Sequence, residues 1–192
     1  MKSFSHTFNI KDEYFTPKCL VDILEPHIKL WHRLFLEKQK REPIFWCPFD
    51  TKNSEFCLFL KKYNYQYIYS HIITGQDFFK YEPEFDIAIS NPPFSKKIEV
   101  FDKLIKTKKP FAMIMNIMAL NYQIIGNLFI NNDIQLLIPD KKISFDGNTS
   151  SFNSGYICKD FLSKDLIFCH IEKVNYRNNF IPSRMIGDIE NE

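Results

Sequence analysis

Asn91-Pro92-Pro93-Phe94 closes an apolar, strand-like run, Asp86 to Ser90, with two residues that have no backbone N–H to donate. Proline fixes φ, and the residue before a proline is pushed out of the α region, so these four residues make a stiff, extended corner. Such a corner displays carbonyl oxygens beside the Asn91 side-chain amide. The Asn91 oxygen and the Pro92 carbonyl can together accept both hydrogens of an exocyclic amine. On an aromatic amine such as N6 of adenine, the nitrogen lone pair is delocalised into the ring. Two acceptors draw that nitrogen toward tetrahedral geometry and localise the pair, while Phe94 can stack on the base. Positioning and preorganised polarity would then supply most of the acceleration. A strand simply ended by prolines needs none of this, and the four residues alone do not separate the two readings.

A corner at the carboxyl end of a strand is well placed only if the strand belongs to an open α/β sheet, where ligands bind beyond those ends. Periodicity points that way. Leu20, Ile23, Leu24, Ile28, Trp31, Leu34 and Phe35 recur at helical spacing and predict a helix from about Pro17 to Lys40. Ile44 to Cys47 reads as a strand, Ser54 to Tyr63 as a helix, and Tyr65 to Ile72 and Asp86 to Ser90 as further strands. Lys96 to Lys106 is amphipathic, Phe111 to Ile117 is strand-like, Leu120 to Phe129 helical and Ile134 to Pro139 extended. Strands alternating with amphipathic helices predict an α/β fold with a mostly parallel sheet. The runs "GYICKDF" and "DLIFCHIEKV" are expected to add an antiparallel C-terminal hairpin. The expected organisation is one domain over residues 1–176 and a polar C-terminal tail over residues 177–192.

With 192 residues, 45% of them apolar and 25% charged, the chain is globular in composition. A net charge of +2 does not mark a nucleic-acid binder by itself, so any such role rests on local clusters: Lys61-Lys62, Lys96-Lys97, Lys106 to Lys109 and Lys141-Lys142. Five cysteines stand singly among apolar residues, with no CxxC and no Cys/His spacing suited to zinc, so no metal is expected. Reduced core cysteines, the lack of an apolar signal segment and the lack of a membrane-length apolar run predict a cytoplasmic protein with no membrane partner.

The Asn91 to Phe94 corner resembles the catalytic motif of the amino-methyltransferases that modify adenine N6 with S-adenosylmethionine. Two further segments carry the likeness. "DEYFTPKCLVDIL", Asp12 to Leu24, resembles the family's Phe-x-Thr-Pro segment and helix, which pack against the methionine part of the cofactor; Phe15, Thr16 and Pro17 match it. "GQDFF", Gly75 to Phe79, resembles the acidic motif that accepts from the cofactor's adenine amine, with Asp77 in that position and Phe78 beside it. The order of the three segments is the family order. More closely, "CPFDTKNSEFCLFLKKYNYQYIYSHIITGQDFF", with the later "NPPFSKK" and "KKPFAMIM", resembles a compact group of adenine methyltransferases common in phages and mobile elements. That likeness runs over roughly residues 10 to 170. It implies a seven-stranded Rossmann-like class I methyltransferase fold, S-adenosylmethionine as cofactor and nucleic acid as partner, DNA ahead of RNA.

The sequence also departs from that pattern. Where most such enzymes carry a glycine-rich loop after the first strand, this chain has "WCPFDTKNS", with Asp50 the candidate partner for the cofactor's ammonium. Where the second strand usually ends in an acidic ribose ligand, it has Ser70 and His71. In "KKISFDGNTSSFNSGYIC" Phe145, then Phe152, are the candidate aromatic faces for an extruded adenine, and Asp146-Gly147-Asn148 reads as a turn. Lys96, Lys97, Lys141 and Lys142 are candidate phosphate contacts. No separate target-recognition domain is expected, so specificity would be short, loose or supplied by a partner subunit. Methylation of RNA adenine or of protein glutamine stays open, as does a non-catalytic relative that binds nucleic acid or a partner.

Overall fold

A computed structural model describes residues 15–145 and 151–172. Asp12 to Tyr14 of the first matched segment, the turn expected at residues 146–148 and the tail from residue 177 lie outside the described residues.

The first helix, α1 (Lys18–Gln39), begins and ends within a residue of its expected bounds. Its capping residue is Pro17, which needs no N–H there, and Leu20 donates to the Pro17 carbonyl at 2.9 Å. Leu20, Leu24, Ile28 and His32 are buried, a four-residue repeat that turns one stripe of the helix to the sheet. Next come β1 (Ile44–Cys47), α2 (Glu55–Lys62), β2 (Gln66–Tyr69), β3 (Ile87–Ser90), α3 (Lys97–Thr107) and β4 (Phe111–Asn116). The chain continues through α4 (Gln123–Phe129), β5 (Ile134–Pro139), the two-residue strands β6 (Ile143–Ser144) and β7 (Ser151–Phe152), β8 (Ser154–Lys159) and β9 (Leu166–Cys169).

Seven strands form one sheet in the order β2-β1-β3-β4-β8-β5-β9, and β6 pairs with β7 in a small separate ribbon. Strands β2, β1, β3 and β4 are mutually parallel, as are β5 and β9, whereas β8 runs antiparallel to both β4 and β5. The expected class holds: a Rossmann-like α/β sheet, mostly parallel, with an antiparallel C-terminal part. The expected hairpin differs in detail. β8 and β9 do not pair with each other; β5 lies between them, and β9 extends the sheet as a parallel edge. Burial explains the placement. β8 is buried along five of its six residues, as an interior strand must be, while β9 alternates between half-buried and exposed.

The sheet separates two cores. On one face Phe45, Cys47, Ile87, Ile89, Ala112 and Ile114 pack with Leu20, Leu24 and Ile28 of α1 and Phe56 and Leu60 of α2. On the other, Trp46, Ala88, Met113 and Met115 pack with Val100, Phe101 and Leu104 of α3. β3 is buried at all four positions. Its entry is tied down by Asp86, which accepts from both guanidinium nitrogens of Arg41 and from the Ile44 N–H. The strand that leads into Asn91 is therefore among the most constrained parts of the chain.

Candidate active site at the carboxyl edge of the sheet

Because β1, β2, β3 and β4 point the same way, the segments that leave them gather at one edge of the sheet. The loop after β1 meets the end of β2 through the backbone: Ser70 donates to the Cys47 carbonyl at 3.1 Å and Asp50 donates to the Ser70 carbonyl at 3.2 Å. Fully buried Ser70 also accepts from the Trp46 indole at 3.0 Å through its hydroxyl. The same loop meets the end of β3 through a side chain. The Phe49 N–H donates to Ser90 Oγ at 3.2 Å, and the Ser90 hydroxyl donates to Asp50 Oδ2.

Asp50 is thus a buried carboxylate at the carboxyl end of the sheet, only 4% exposed. Burial, then the neighbouring Cys57 thiol and the Asp50 charge, push the Cys47 thiol well above its ordinary value. Cys47 stays a neutral thiol near pH 7, and thiolate chemistry is not what this edge provides.

Two groups of aromatic rings flank this polar seam, one with each core. On the side of α3, Phe49 packs on Phe78 with ring centroids 4.7 Å apart, and Phe78 stacks on Trp46 at 5.4 Å. On the side of α1, Phe94 and Phe145 pack against the core. Phe94, Phe145 and Phe152 meet edge to face, with centroid separations of 6.4, 6.2 and 5.6 Å. The β6–β7 ribbon brings Phe145 and Phe152 to the Asn91 corner, since Ile143 lies opposite Phe152 in its register.

The corner itself has no cis peptide bond, and a 3-10 turn over Phe94–Lys96 leads from it into α3. Pro92 is buried, and Asn91, Pro93 and Phe94 are half-buried. Asn91 Oδ1 lies below the surface. Lys97 folds back to donate to the Phe94 carbonyl at 3.2 Å, and Lys96 stands 3.7 Å from Glu99. Lys141 donates to the Ile171 carbonyl, and Lys142 is exposed.

The remaining candidates are placed as follows. Asp77 Oδ1 accepts from the Phe79 N–H at 3.0 Å, and its carboxylate stands 3.8 Å from Lys80. One oxygen thus closes a local turn. His71 is buried and its Nδ1 accepts from the Ile73 N–H at 3.1 Å, which puts the proton of a neutral ring on Nε2. Thr16 is buried, Pro17 caps α1 and Phe15 is 54% exposed.

Residues at this edge that the motif reading passed over are Phe49, Ser90 and Lys103, the last donating to the Phe78 carbonyl at 2.9 Å from α3. Ser90 carried a signal: it is the polar residue at the end of an otherwise apolar run, directly before Asn91. Among the described residues no group of three His, Cys, Asp or Glu side chains is placed to hold a metal ion, and no helix is long and apolar enough to cross a membrane.

What the sheet and its carboxyl edge define is a Rossmann-like α/β fold, with one reversed strand set among parallel neighbours. No family model matches the chain. A stretch of 51 residues is 43% identical to the type II methyltransferase M.EcoRI of Escherichia coli, a match that takes in 27% of this chain and 16% of that protein. Among solved structures, a release factor-specific protein-(glutamine-N5) methyltransferase from Alicyclobacillus acidocaldarius overlays with a TM-score of 0.28 at 9% identity. That overlay covers 75% of this chain and 97% of the other, and is too loose to add to the strand order above.

Proposed function

We propose that the chain is an S-adenosylmethionine-dependent methyltransferase acting on the exocyclic N6 amine of adenine in nucleic acid, DNA ahead of RNA. One observation carries this reading. Asn91-Pro92-Pro93-Phe94 follows a strand buried at every position, at the same sheet edge as buried Asp50 and the Phe49–Phe78 pair. The short stretch of identity with a type II methyltransferase supports it.

The residues present fit the cofactor. A buried carboxylate at Asp50 suits an ammonium group, and the Phe49 and Phe78 rings suit an adenine face. The Asp77 carboxylate, which closes a local turn through Oδ1 and stands 3.8 Å from Lys80 through Oδ2, is the proposed partner of the cofactor's amine, and Phe15, Thr16, Pro17 and His71 complete the proposed cofactor set. The backbone amides of Phe49 and Asp50 are committed to Ser90 and Ser70, so side chains rather than this backbone would hold the cofactor. S-adenosylmethionine supplies a methyl group made electrophilic by its sulfonium. The chain does the rest. Asn91 Oδ1 and the Pro92 carbonyl hold both hydrogens of the target amine, one of which leaves to water as a proton after the new bond forms. Phe94, with Phe145 and Phe152 around it, holds the base.

An adenine in a duplex reaches such a corner only by leaving the stack. Lys96 and Lys97 are the proposed phosphate contacts, which makes binding weaken as salt rises. A second reading is a methyltransferase-like subunit that binds nucleic acid or a catalytic partner without turnover. The sunken Asn91 Oδ1 and the committed amides of the β1 loop favour it. Calorimetric titration with S-adenosylmethionine, followed by labelled methyl transfer to adenine-containing DNA and RNA, separates the two. Cofactor binding with label on N6 supports the enzyme; binding with no label on either nucleic acid supports the second reading.

A further inference from the structure

Ser90 is fully buried, yet it carries a hydroxyl in a strand whose other residues are apolar. A buried hydroxyl left without partners is costly, so its bonds define what it is for. Ser90 Oγ accepts from the Phe49 N–H at 3.2 Å and donates to Asp50 Oδ2. Both partners belong to the loop after β1, while the next residue along the chain from Ser90 is Asn91. One small side chain therefore bridges the loop with the proposed ammonium-binding carboxylate and the corner that would hold the target amine.

The Asp50 side needs such a bolt. The loop has no glycine to let a ligand approach its backbone, and the Asp50 N–H is already given to the Ser70 carbonyl. The carboxylate is 4% exposed, so its direction is set by whatever donates to it. A hydroxyl donating to a carboxylate is a charge-assisted bond, stronger and more directional than a neutral one.

We infer that Ser90 is a positioning residue: its hydroxyl aims the Asp50 carboxylate at the cofactor's ammonium group and fixes that loop against the Asn91 corner. This rests on the methyltransferase reading above, and it deepens that reading. The hydroxyl acts on one end of the cofactor only, which separates positioning from simple support of the fold. Ser90→Ala is expected to weaken S-adenosylmethionine on the order of tenfold, the loss of one charge-assisted hydrogen bond. 5′-Methylthioadenosine, which has the adenosine and the sulfur but no ammonium, should bind Ser90→Ala as it binds the wild type. Ser90→Cys, similar in size with a weaker donor, should fall between the two, and it carries the test should the alanine variant not fold.

Calorimetry with the two ligands against wild type and both variants decides the matter. Selective loss of S-adenosylmethionine is the expected result. If the wild type binds both ligands and the variants lose both equally, Ser90 merely supports the fold and the inference is overturned. Unchanged binding of S-adenosylmethionine overturns it as well. A wild type that binds neither ligand refutes the methyltransferase reading itself and takes this inference with it.

Discussion

The entry to β3 sets the position of everything that follows it, and Asp86 holds that entry in a way that can be apportioned. Its side chain is 14% exposed and accepts from Ile44 N–H at 2.8 Å, Arg41 Nη1 at 2.7 Å and Arg41 Nη2 at 2.5 Å. Arg41 is 55% exposed, so on losing its partner the guanidinium returns to water and forfeits about 1 kcal/mol or less. The part-buried Ile44 N–H cannot do that as easily, and leaving it unpaired costs about 1–3 kcal/mol. Asp86→Ala should thus destabilise by about 2–3 kcal/mol, and Arg41→Ala by about 1 or less. Asp86→Asn, which keeps an oxygen for Ile44, should cost about 1 kcal/mol. Urea unfolding reads the order as shifts in midpoint at unchanged slope.

The pH dependence of the same group has a fixed sign. Burial raises the Asp86 carboxyl, but the Arg41 guanidinium and the Ile44 N–H outweigh it and hold the group below its ordinary value of 3.8. A lowered folded value means the stabilisation is fully present above the ordinary value and is lost as pH falls through the folded one. The gap between wild type and Asp86→Ala should accordingly be constant near neutrality and shrink in the acid range below 3.8. An Arg41→Ala cost as large as that of Asp86→Ala, or a gap that does not shrink in acid, refutes this division.

Two further predictions bear on the site. An alanine Cβ at Gly155 in β8 would stand 2.9 Å from Ile117 Cγ2 and 3.0 Å from the Leu137 carbonyl oxygen. The backbone oxygen cannot give way, so Gly155→Ala should cost about 1–3 kcal/mol in thermal or urea unfolding, and an unchanged midpoint would show that β8 can slide. Lys103→Met keeps the stem but removes the donor to the Phe78 carbonyl. It should weaken S-adenosylmethionine about threefold to tenfold with little change in the rate at saturation; a fall in rate alone would place Lys103 with the target amine.

How much of this was legible in the sequence follows from what each signal measures. Periodicity reports burial along one element, so α1 and β5 came within a residue of their observed bounds. It does not report partners in space, and the pairing of β8 with β4 and β5 was missed for that reason. The residues alone did not separate the two runs: Gly155 to Cys158 and Leu166 to Cys169 are both apolar without a break, and only the structure shows the first buried and the second exposing alternate residues. The Asn91 corner stood out because prolines after a strand are conspicuous. Ser90 did not, because a serine looks alike in sequence whether it meets water or a carboxylate. Asp77 and His71 show the reverse: residues singled out for chemistry also close local turns, through Phe79 and Ile73.

The central claim is that the Asn91 amide and the Pro92 carbonyl activate an aromatic amine beside a bound methyl donor. Its most direct measurement is single-turnover transfer of labelled methyl to adenine oligonucleotides by wild type and Asn91→Ala, with S-adenosylmethionine affinity measured on both. Label on N6 is expected with the wild type, a fall of about a hundredfold or more in Asn91→Ala, and cofactor affinity unchanged within about twofold. Equal transfer by the two proteins, or a loss explained wholly by weaker cofactor binding, would contradict it.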